Sequence, residues 1–415
     1  MENRNVHWVL CLSVMLAVAG FSLPAPVLSP MLLSDESGLL PADALRSERI
    51  FWLALIFIAY PIGQLLGSPL LGRWSDRIGR KKVLMFSISG SALGYLLLVI
   101  AIEQQLLGML VLVRLAHGFT NGNVAIAQAF AADITSGDEK AKLFGKINVA
   151  LNLGWIVGPL AGGYLSWLMD SYSTPFAMAA LVMAFNWLLI CLFLPDLWIS
   201  HEKNASAEGK KVSAQKSKLL YLKALRLPFI LTLISYGAIN LYFSFFSTFF
   251  VEHFDAEPID IAWLCVLVSV PMMIGSWVGA RYSAAKGLAK AGVLGHTMMA
   301  VGMFTLVFAG NYFQVAATMI LAGIGMTIGE LATSLLVSEV APDSQQGEAM
   351  GLYRGFTMAS ELIAIVIGGA LVVLDSRLAF AAAAFASAVV AYLFYQSLTS
   401  SRQRQLNPAA GAVQL

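Results

Sequence analysis

The sequence predicts an all-α integral membrane protein made of two similar halves, and three observations lead to this prediction. Apolar residues make up 58% of the 415 residues and charged residues 12%, which a soluble domain could not tolerate without large exposed apolar patches. Apolar stretches long enough to cross a bilayer recur along the chain. A basic motif between two of them returns in a weaker form in the second half. We therefore expect twelve transmembrane helices in two pseudo-symmetric six-helix bundles.

The candidate spans are identified by length. Taking roughly 20 apolar residues per span, they begin near residues 7, 50, 83, 106, 144, 176, 228, 261, 291, 315, 349 and 378. A polar, lysine-rich segment follows the sixth span and is predicted to be a linker. The expected organisation is an N-terminal bundle at 1–196, a cytoplasmic linker at 197–227, a C-terminal bundle at 228–398 and a cytoplasmic tail at 399–415.

The basic residues predict the orientation. Nearly all of those in loops fall on one side of this topology, and the other side retains only Arg46, Arg49 and Arg377. The positive-inside rule then places both termini in the cytoplasm of a multi-pass protein of the inner membrane. Because the cations form no continuous stripe, nucleic acid is not an expected partner. The three cysteines lie in apolar segments, so we expect no disulfide framework and no metal site.

Two sets of residues mark the internal repeat. One set aligns at a constant offset: Gly67-Ser68, Arg73-Trp74-Ser75, Gly79 and Lys82 with Gly275-Ser276, Arg281-Tyr282-Ser283, Gly287 and Lys290. The second set aligns at a slightly different offset: Asp133, Gly145 and Gly162-Gly163 with Glu339, Gly351 and Gly368-Gly369. A small deletion in a loop explains the change of offset.

Three ordered motifs carry a family resemblance. The predicted loop between the second and third spans, about ten residues long, contains Gly72, Asp76, Arg77, Gly79, Arg80, Lys81 and Lys82. It fills every position of the corresponding loop motif of the major facilitator superfamily, which the chain resembles over nearly its whole length. Arg114-x-x-His117-Gly118 is similar to the fourth-span motif of the superfamily, in which the fourth position is more often Gln. The run Gly154-x-x-x-Gly158-Pro159-x-x-Gly162-Gly163 resembles the fifth-span motif of its drug:proton antiporters, and Gly20, Pro24 and Pro26 resemble their first-span proline pair less closely.

The resemblance implies a monomeric transporter that works by alternating access, with the charged loop as a latch on the cytoplasmic side. On topological grounds Asp133, at the cytoplasmic end of the fourth span, is the nearest acid that the loop cations could pair with. The bland alternative is that these cations only fix the topology. In the fifth span the glycines recur every four residues, which allows close helix approach, and Pro159 permits a bend. Packing alone could also explain that motif.

The fourth span carries a polar stripe. Arg114 lies inside the membrane, where an unpaired cation costs a few kcal/mol. At about 100° per residue, Arg114, His117, Asn121 and Gln128 fall within a ~60° arc on one helix face. A stripe of this kind faces a cavity. His117 is a candidate proton carrier or, equally, a neutral hydrogen-bonding residue.

Two carboxylates lie far from any loop. Glu330 is in the middle of the tenth span and Glu361 in the middle of the eleventh. Intramembrane acids are candidates for proton coupling or for binding a cationic substrate. A structural pairing of Glu361 with Arg354, or of Glu330 with Arg114, is the alternative. Further polar residues are expected to line the cavity, namely Asn148, Asn152, Tyr236, Asn240, Thr327, Arg354 and Thr357.

The expected activity is proton-coupled export of a small amphipathic organic compound or drug, with protons, the substrate and membrane lipid as partners. The first span has no carboxylate, whereas several proton-coupled drug exporters place one there or nearby. A dedicated exporter or a proton-coupled importer of an endogenous metabolite such as a siderophore therefore stays open. An alternative of another class is a non-transporting membrane receptor or scaffold. Such a protein should need neither the complete loop motif nor buried acids, so their presence argues against it. The sequence contains no nucleotide-binding loop, metal-ligand spacing or nucleophile with a base, so we expect neither a cofactor nor an enzyme.

Overall fold

A computed structural model of the chain describes residues 3–196, 214–341 and 346–406. Most of the predicted linker and the end of the predicted tail lie outside the described residues. Within them the chain is all-helical and has no strand. The helices of the first half are α1 Asn3–Ser22, α2 Ala25–Leu33, α3 Arg46–Ile78, α4 Arg80–Glu103, α5 Leu107–Thr120, α6 Asn123–Ile134, α7 Gly137–Met169 and α8 Thr174–Phe193. Those of the second half are α9 Ala214–Phe254, α10 Pro258–Lys286, α11 Leu288–Leu306, α12 Tyr312–Val340, α13 Gln346–Leu374 and α14 Arg377–Leu406.

Ten helical segments of the described chain are long and apolar enough to cross a membrane. The chain is therefore a multi-pass membrane protein, and the all-α class is confirmed. Of the twelve predicted spans, the fourth is divided between α5 and α6, each too short to cross a bilayer alone. The ninth corresponds to α11, which has 19 residues and includes Lys290 and His296.

The chain forms two compact units. One contains Met1–Ser206 and Phe246–Val266, and the other contains Ala207–Phe245 and Leu267–Leu415, as far as these ranges are described. The segment Phe246–Val266 is the tip of the hairpin between α9 and α10, and it packs with the first unit. We call it the hairpin tip.

The internal repeat is visible in the backbone. Gly79 separates α3 from α4 with a φ of 103°, and its repeat partner Gly287 separates α10 from α11 with a φ of 89°. A positive φ of this size is readily adopted only by glycine. Gly67 and Gly275 likewise sit at equivalent helix crossings: an added Cβ would lie 1.9 Å from the carbonyl oxygen of Phe119 and 2.6 Å from that of Ile324, respectively.

The charged motif is not a loop of about ten residues, as the sequence led us to expect. Helix α3 continues through the motif to Ile78, Gly79 alone lies outside a helix, and α4 begins at Arg80. A helix that leaves the hydrocarbon region can continue into water. Charged side chains there do not interrupt it, because its backbone hydrogen bonds are already satisfied within the helix. The single glycine makes the whole reversal.

Candidate functional site

The second unit contains a buried acid with two tyrosines. The carboxylate of Glu330 on α12 accepts a hydrogen bond of 2.5 Å from the hydroxyl of Tyr236 on α9. The same hydroxyl lies 2.8 Å from that of Tyr353 on α13. Three helices thus contribute to one hydrogen-bonded chain that ends at the carboxylate. Arg354, the residue after Tyr353, is near enough to act on the carboxylate electrostatically. We call Glu330, Tyr236 and Tyr353 the Glu330 cluster.

The Glu330 cluster can hold a proton. A carboxylate that accepts a hydroxyl hydrogen bond is stabilised as an anion, and it still has lone pairs available for a proton or a cationic group of a substrate. The two tyrosine rings meet edge to face, with centroids 5.9 Å apart. Aromatic walls around a few placed polar groups suit an amphipathic organic ligand.

The other polar residues predicted to line a cavity in this half are not part of the Glu330 cluster. Asn240 donates to the Ser360 hydroxyl at 3.4 Å, which joins α9 to α13 beside the cluster. Thr357 bonds the carbonyl of Arg354 on its own helix. Thr327 is buried and lies against Gly275 of α10, with its hydroxyl near carbonyls of its own helix. Glu361 is half-buried on α13.

The first unit has a buried polar centre around Arg114. Its guanidinium carbon lies 5.2 Å from the ring centroid of Tyr60, an arrangement that stabilises a desolvated cation. The Tyr60 hydroxyl accepts a hydrogen bond from Asn121. Gly63 and Gly118 make this possible, because an added Cβ at either would lie about 2 Å from a backbone oxygen of the facing helix. The close crossing of α3 and α5 brings Tyr60 against the fourth span.

His117 lies beside this centre and is 1% exposed. Its ring meets Tyr95 edge to face at 4.4 Å and Tyr60 at 5.5 Å. Among the described residues neither ring nitrogen has a hydrogen-bond partner. The packing of His117 is therefore aromatic, which favours neither of the two roles considered from the sequence.

The polar stripe does not continue along one helix, contrary to the sequence prediction. α5 ends at Thr120 and α6 begins at Asn123, so Gln128 lies on a separate helix, where it is half-buried. Ser87 of α4 supports the break: its hydroxyl donates to the Thr120 carbonyl at 2.5 Å and accepts from the Gly122 amide at 2.8 Å. Interrupted backbone at membrane depth requires such partners.

The charged motif forms an ion-pair cluster in the first unit. Arg80 contacts Asp76 at 2.6 Å and Asp133 at 2.8 Å, so the pairing expected with Asp133 is confirmed. Arg80 also donates to the Ser75 hydroxyl at 2.6 Å, and that hydroxyl bonds the carbonyl of Gly72. The cluster ties α3 and α4 to the end of α6. Arg77 is exposed on the same turn.

Lys81 contacts a different helix from Arg80. Its ammonium donates to the carbonyls of Cys191 at 3.0 Å and Leu194 at 2.6 Å. These carbonyls belong to the end of α8, where the helix dipole favours a cation. Lys81 thus caps α8.

The glycines of the fifth-span motif allow the close approach that the sequence predicted. An added Cβ would lie 2.0 Å from the Ser22 hydroxyl at Gly158 and 1.7 Å from the Leu23 carbonyl oxygen at Gly162. Ser22 also donates to the carbonyl of Gly154 at 3.1 Å. Gly163 faces the hairpin tip, where an added Cβ would lie 2.6 Å from the carbonyl oxygen of Pro258. The motif therefore packs α7 on α1 and on the tip.

Two further features of α7 concern the sequence predictions. The helix passes Pro159 without a break. Asn148 and Asn152 are both exposed on it. Within the described part of the chain, no group of three His, Cys, Asp or Glu residues could hold a metal ion.

Some residues of these centres were not found from the sequence. Tyr353 stands beside the predicted Arg354, but one tyrosine among 12 gives no signal of its own. Tyr60 and Tyr95 are likewise aromatic residues in apolar helices. Ser87 was missed because the break that it supports was not predicted. Only the Asn121-Gly122 pair, two residues that disfavour helix, could have indicated the break.

Known proteins are similar to this chain in sequence. Tetracycline resistance protein, class C, from Escherichia coli is 28% identical over 369 residues, which are 87% of this chain and 88% of the relative. Quinolone resistance protein NorA from Staphylococcus aureus (strain COL) is 25% identical over 383 residues, covering 89% and 90%.

Solved structures agree in fold. The nucleoside transporter NupG superposes with a TM-score of 0.74 at 13% identity, over 95% of this chain and 99% of that one. The human organic anion transporter MFSD10 gives a TM-score of 0.67 at 19% identity, over 95% and 100%. The model of the Major Facilitator Superfamily matches residues 10–284 and 228–414. The resemblance inferred from the motifs is confirmed, and the chain belongs to the Major Facilitator Superfamily.

Proposed function

We propose that the protein is a proton-coupled exporter of small amphipathic organic compounds, with all twelve predicted segments crossing the membrane. The observation that carries this proposal is the Glu330 cluster: a carboxylate held by a tyrosine hydroxyl at 2.5 Å in the middle of a spanning helix. An acid at this depth is costly and marks a proton or substrate site. The relatives named for tetracycline and quinolone resistance support export of drug-like molecules.

The proposed cycle uses Glu330 in two states. When the carboxylate is charged, the Tyr236 hydroxyl donates to it and the site can accept a cationic or hydrogen-bond-donating group of the substrate. When a proton binds to a carboxylate oxygen, the negative charge is lost and with it the attraction for that group. Proton and substrate then exclude one another at Glu330, which is the requirement for exchange in opposite directions. Tyr353 holds the Tyr236 hydroxyl in place.

Arg114 of the first unit is a separate candidate for proton coupling or substrate binding. Arg114 is held over the face of Tyr60, whose hydroxyl is itself held by Asn121. A guanidinium held in this way can bind acceptor oxygens of a substrate without further ordering cost. Glu361, Arg354 and His117 remain candidates for secondary roles in binding and coupling.

We further propose that the Arg80 ion-pair cluster controls closure on the cytoplasmic side. The positive-inside rule puts the Gly72–Lys82 motif and both termini there, in the bacterial inner membrane. Arg80 bridges two acids on different helices, so separating these helices breaks at least one ion pair. The working unit would be a monomer surrounded by lipid.

Inside-out membrane vesicles with an acidified lumen test the proposal. A pH-sensitive dye reports proton leakage when tetracycline, norfloxacin, a lipophilic cation or a siderophore is added. We expect leakage with at least one of these compounds, and none after Glu330→Gln. Glu48→Gln, an exposed acid in the first turn of α3, is the matched control and should behave as the wild type. Leakage that is unchanged by Glu330→Gln would exclude Glu330 as the coupling group.

A further inference from the structure

The second unit contains another buried polar contact, next in sequence to the Glu330 cluster. His296 on α11 and Ser235 on α9 are both fully buried, and the histidine Nε2 lies 2.8 Å from the serine hydroxyl oxygen. Neither residue belongs to the motifs or to the intramembrane charges described above. Ser235 immediately precedes Tyr236, so this contact fixes the turn of α9 that carries the Tyr236 hydroxyl.

The hydrogen-bond directions at His296 follow from its other nitrogen. Nδ1 lies 2.9 Å from the carbonyl oxygen of Gly292. Because a carbonyl oxygen can only accept, Nδ1 carries a hydrogen. In the neutral ring Nε2 is then an acceptor, and the Ser235 hydroxyl donates to it. The pair has one defined donor and one defined acceptor, so it fixes both position and orientation.

The His296 ring also contacts the helix that carries Glu330. An added Cβ at Gly329 would lie 2.8 Å from Cε1 of the ring, so the ring lies directly against the α12 backbone one residue before Glu330. At Gly295, the residue before His296, α11 crosses α12 closely: an added Cβ would lie 2.4 Å from the Gly329 nitrogen. Phe394 of α14 stacks on the other side, with ring centroids 5.6 Å apart at 24°.

We propose that His296 is a positioning residue for the proton site. It joins the residue before Tyr236 to the residue before Glu330, and so sets the distance between the tyrosine hydroxyl and the carboxylate. It touches neither substrate nor the carboxylate itself. The inference rests on the proposed role of Glu330, and its mechanism is the alignment of α9 with α12 through one imidazole.

The test compares pH profiles of tetracycline- or norfloxacin-driven proton leakage in inside-out vesicles. Ser235→Ala removes the donor and leaves the fold contacts of the ring, and His296→Gln keeps a polar group of smaller size. We expect both to shift the midpoint of the profile by about half a pH unit or more, because the hydrogen bond from Tyr236 to the carboxylate is weakened. The shift should have the same sign as that of Tyr236→Phe.

Non-additivity gives the decisive readout. If His296 and Ser235 act through Tyr236, adding Ser235→Ala to Tyr236→Phe changes the profile no further. Ser387→Ala is the matched control: this serine is fully buried on α14 and bonds a carbonyl of its own helix, so the midpoint should not move. The thermal stability of each purified variant separates a shifted profile from loss of folded protein.

Two results would overturn the inference in distinguishable ways. An unshifted profile in both Ser235→Ala and His296→Gln, with Glu330→Gln still abolishing leakage, removes the positioning role and leaves the proposed function intact. Additive shifts in the Ser235→Ala, Tyr236→Phe double variant would also remove the positioning role and leave the proposed function intact. A normal profile in Glu330→Gln excludes Glu330 as the coupling group and removes the positioning role with it, while proton-coupled export itself would stand.

Discussion

At the scale of single residues, the shortest contacts around Glu330 define what the site can do. The hydroxyl of Tyr236 is shared between the carboxylate at 2.5 Å and the Tyr353 hydroxyl at 2.8 Å. Only one of these contacts can use the Tyr236 hydrogen. Because a charged carboxylate is the stronger acceptor, Tyr236 donates to Glu330 and accepts from Tyr353. The two tyrosines are therefore unequal.

This inequality gives a prediction for two matched substitutions. Tyr236→Phe removes the donor to the carboxylate and should lower the rate of proton-coupled transport by about tenfold or more. Tyr353→Phe removes only the support of that donor and should cost clearly less. Transport rates in inside-out vesicles at one fixed pH measure both. Equal losses in the two variants would contradict the assignment of hydrogen-bond directions.

A second prediction at this scale concerns the Arg80 ion-pair cluster. Asp76→Asn removes one of the two acids that pair with Arg80. Arg80→Lys weakens both contacts, since a lysine ammonium cannot reproduce the bridging geometry of a guanidinium. We expect a larger loss of turnover than of substrate binding in both variants. Arg73→Gln is the control, because Arg73 is exposed and bonds a carbonyl of its own helix. Parallel losses of turnover and binding would show a general structural defect.

Many of the residues in these centres could be inferred from the sequence, and those that could not were missed for physical reasons. Charged side chains inside apolar stretches are visible at once, which is why Glu330 and Arg114 were singled out. The pairing of the motif with Asp133 followed from the predicted topology. Residues whose hydrogen bonds join helices that are distant in the sequence were not found. Tyr353, Ser87 and His296 acquire their surroundings only when distant helices pack, and no local spacing encodes that packing.

At the scale of helices, glycines decide how closely the elements approach. The α7 motif uses Gly158 and Gly162 against α1, and the α11–α12 crossing uses Gly295 against Gly329. The helix periodicity of the α7 motif predicted this approach correctly. The break between α5 and α6 was not predicted, because the polar pair Asn121-Gly122 is short and lies between two apolar stretches. Ser87, which bonds the freed backbone groups, lies on another helix.

The helix scale yields a direct stability prediction. Gly162→Ala places a methyl group 1.7 Å from the Leu23 carbonyl oxygen, so α7 must move from α1, at a cost of about 1–3 kcal/mol. We expect a clear fall in the melting temperature of the purified protein. In the same helix Gly145→Ala meets nothing within 4 Å, and it should be neutral or slightly stabilising. A neutral Gly162→Ala would mean that this crossing is looser than described.

At the scale of the whole molecule, the two units do not follow the order of the chain. The hairpin tip packs with the first unit, although the rest of α9 and α10 belongs to the second. Arg46 donates to both carboxylate oxygens of Glu252 in the tip, at 2.7 and 2.9 Å, and the buried hydroxyls of Ser29 and Thr248 lie 3.2 Å apart. The sequence predicted the twofold repeat but not this exchange, because hydropathy alone does not determine which helix ends meet.

Charge reversal tests whether the tip contact matters for transport. Arg46→Glu or Glu252→Arg alone places like charges together, and each should slow turnover in vesicles. The double variant restores opposite charges and should recover most of the rate, since a bidentate pair retains its geometry when the partners exchange. Failure of the double variant to recover would assign the losses to the individual side chains and not to the pair.

In the proposed cycle, binding of substrate displaces a proton from Glu330. Purified protein in weakly buffered detergent solution, titrated with tetracycline or norfloxacin while the pH is recorded, measures this directly. The wild type and Glu361→Gln are predicted to release protons on binding, and Glu330→Gln to bind the compound without release. Undiminished release from Glu330→Gln would contradict the account and would assign proton coupling to another group.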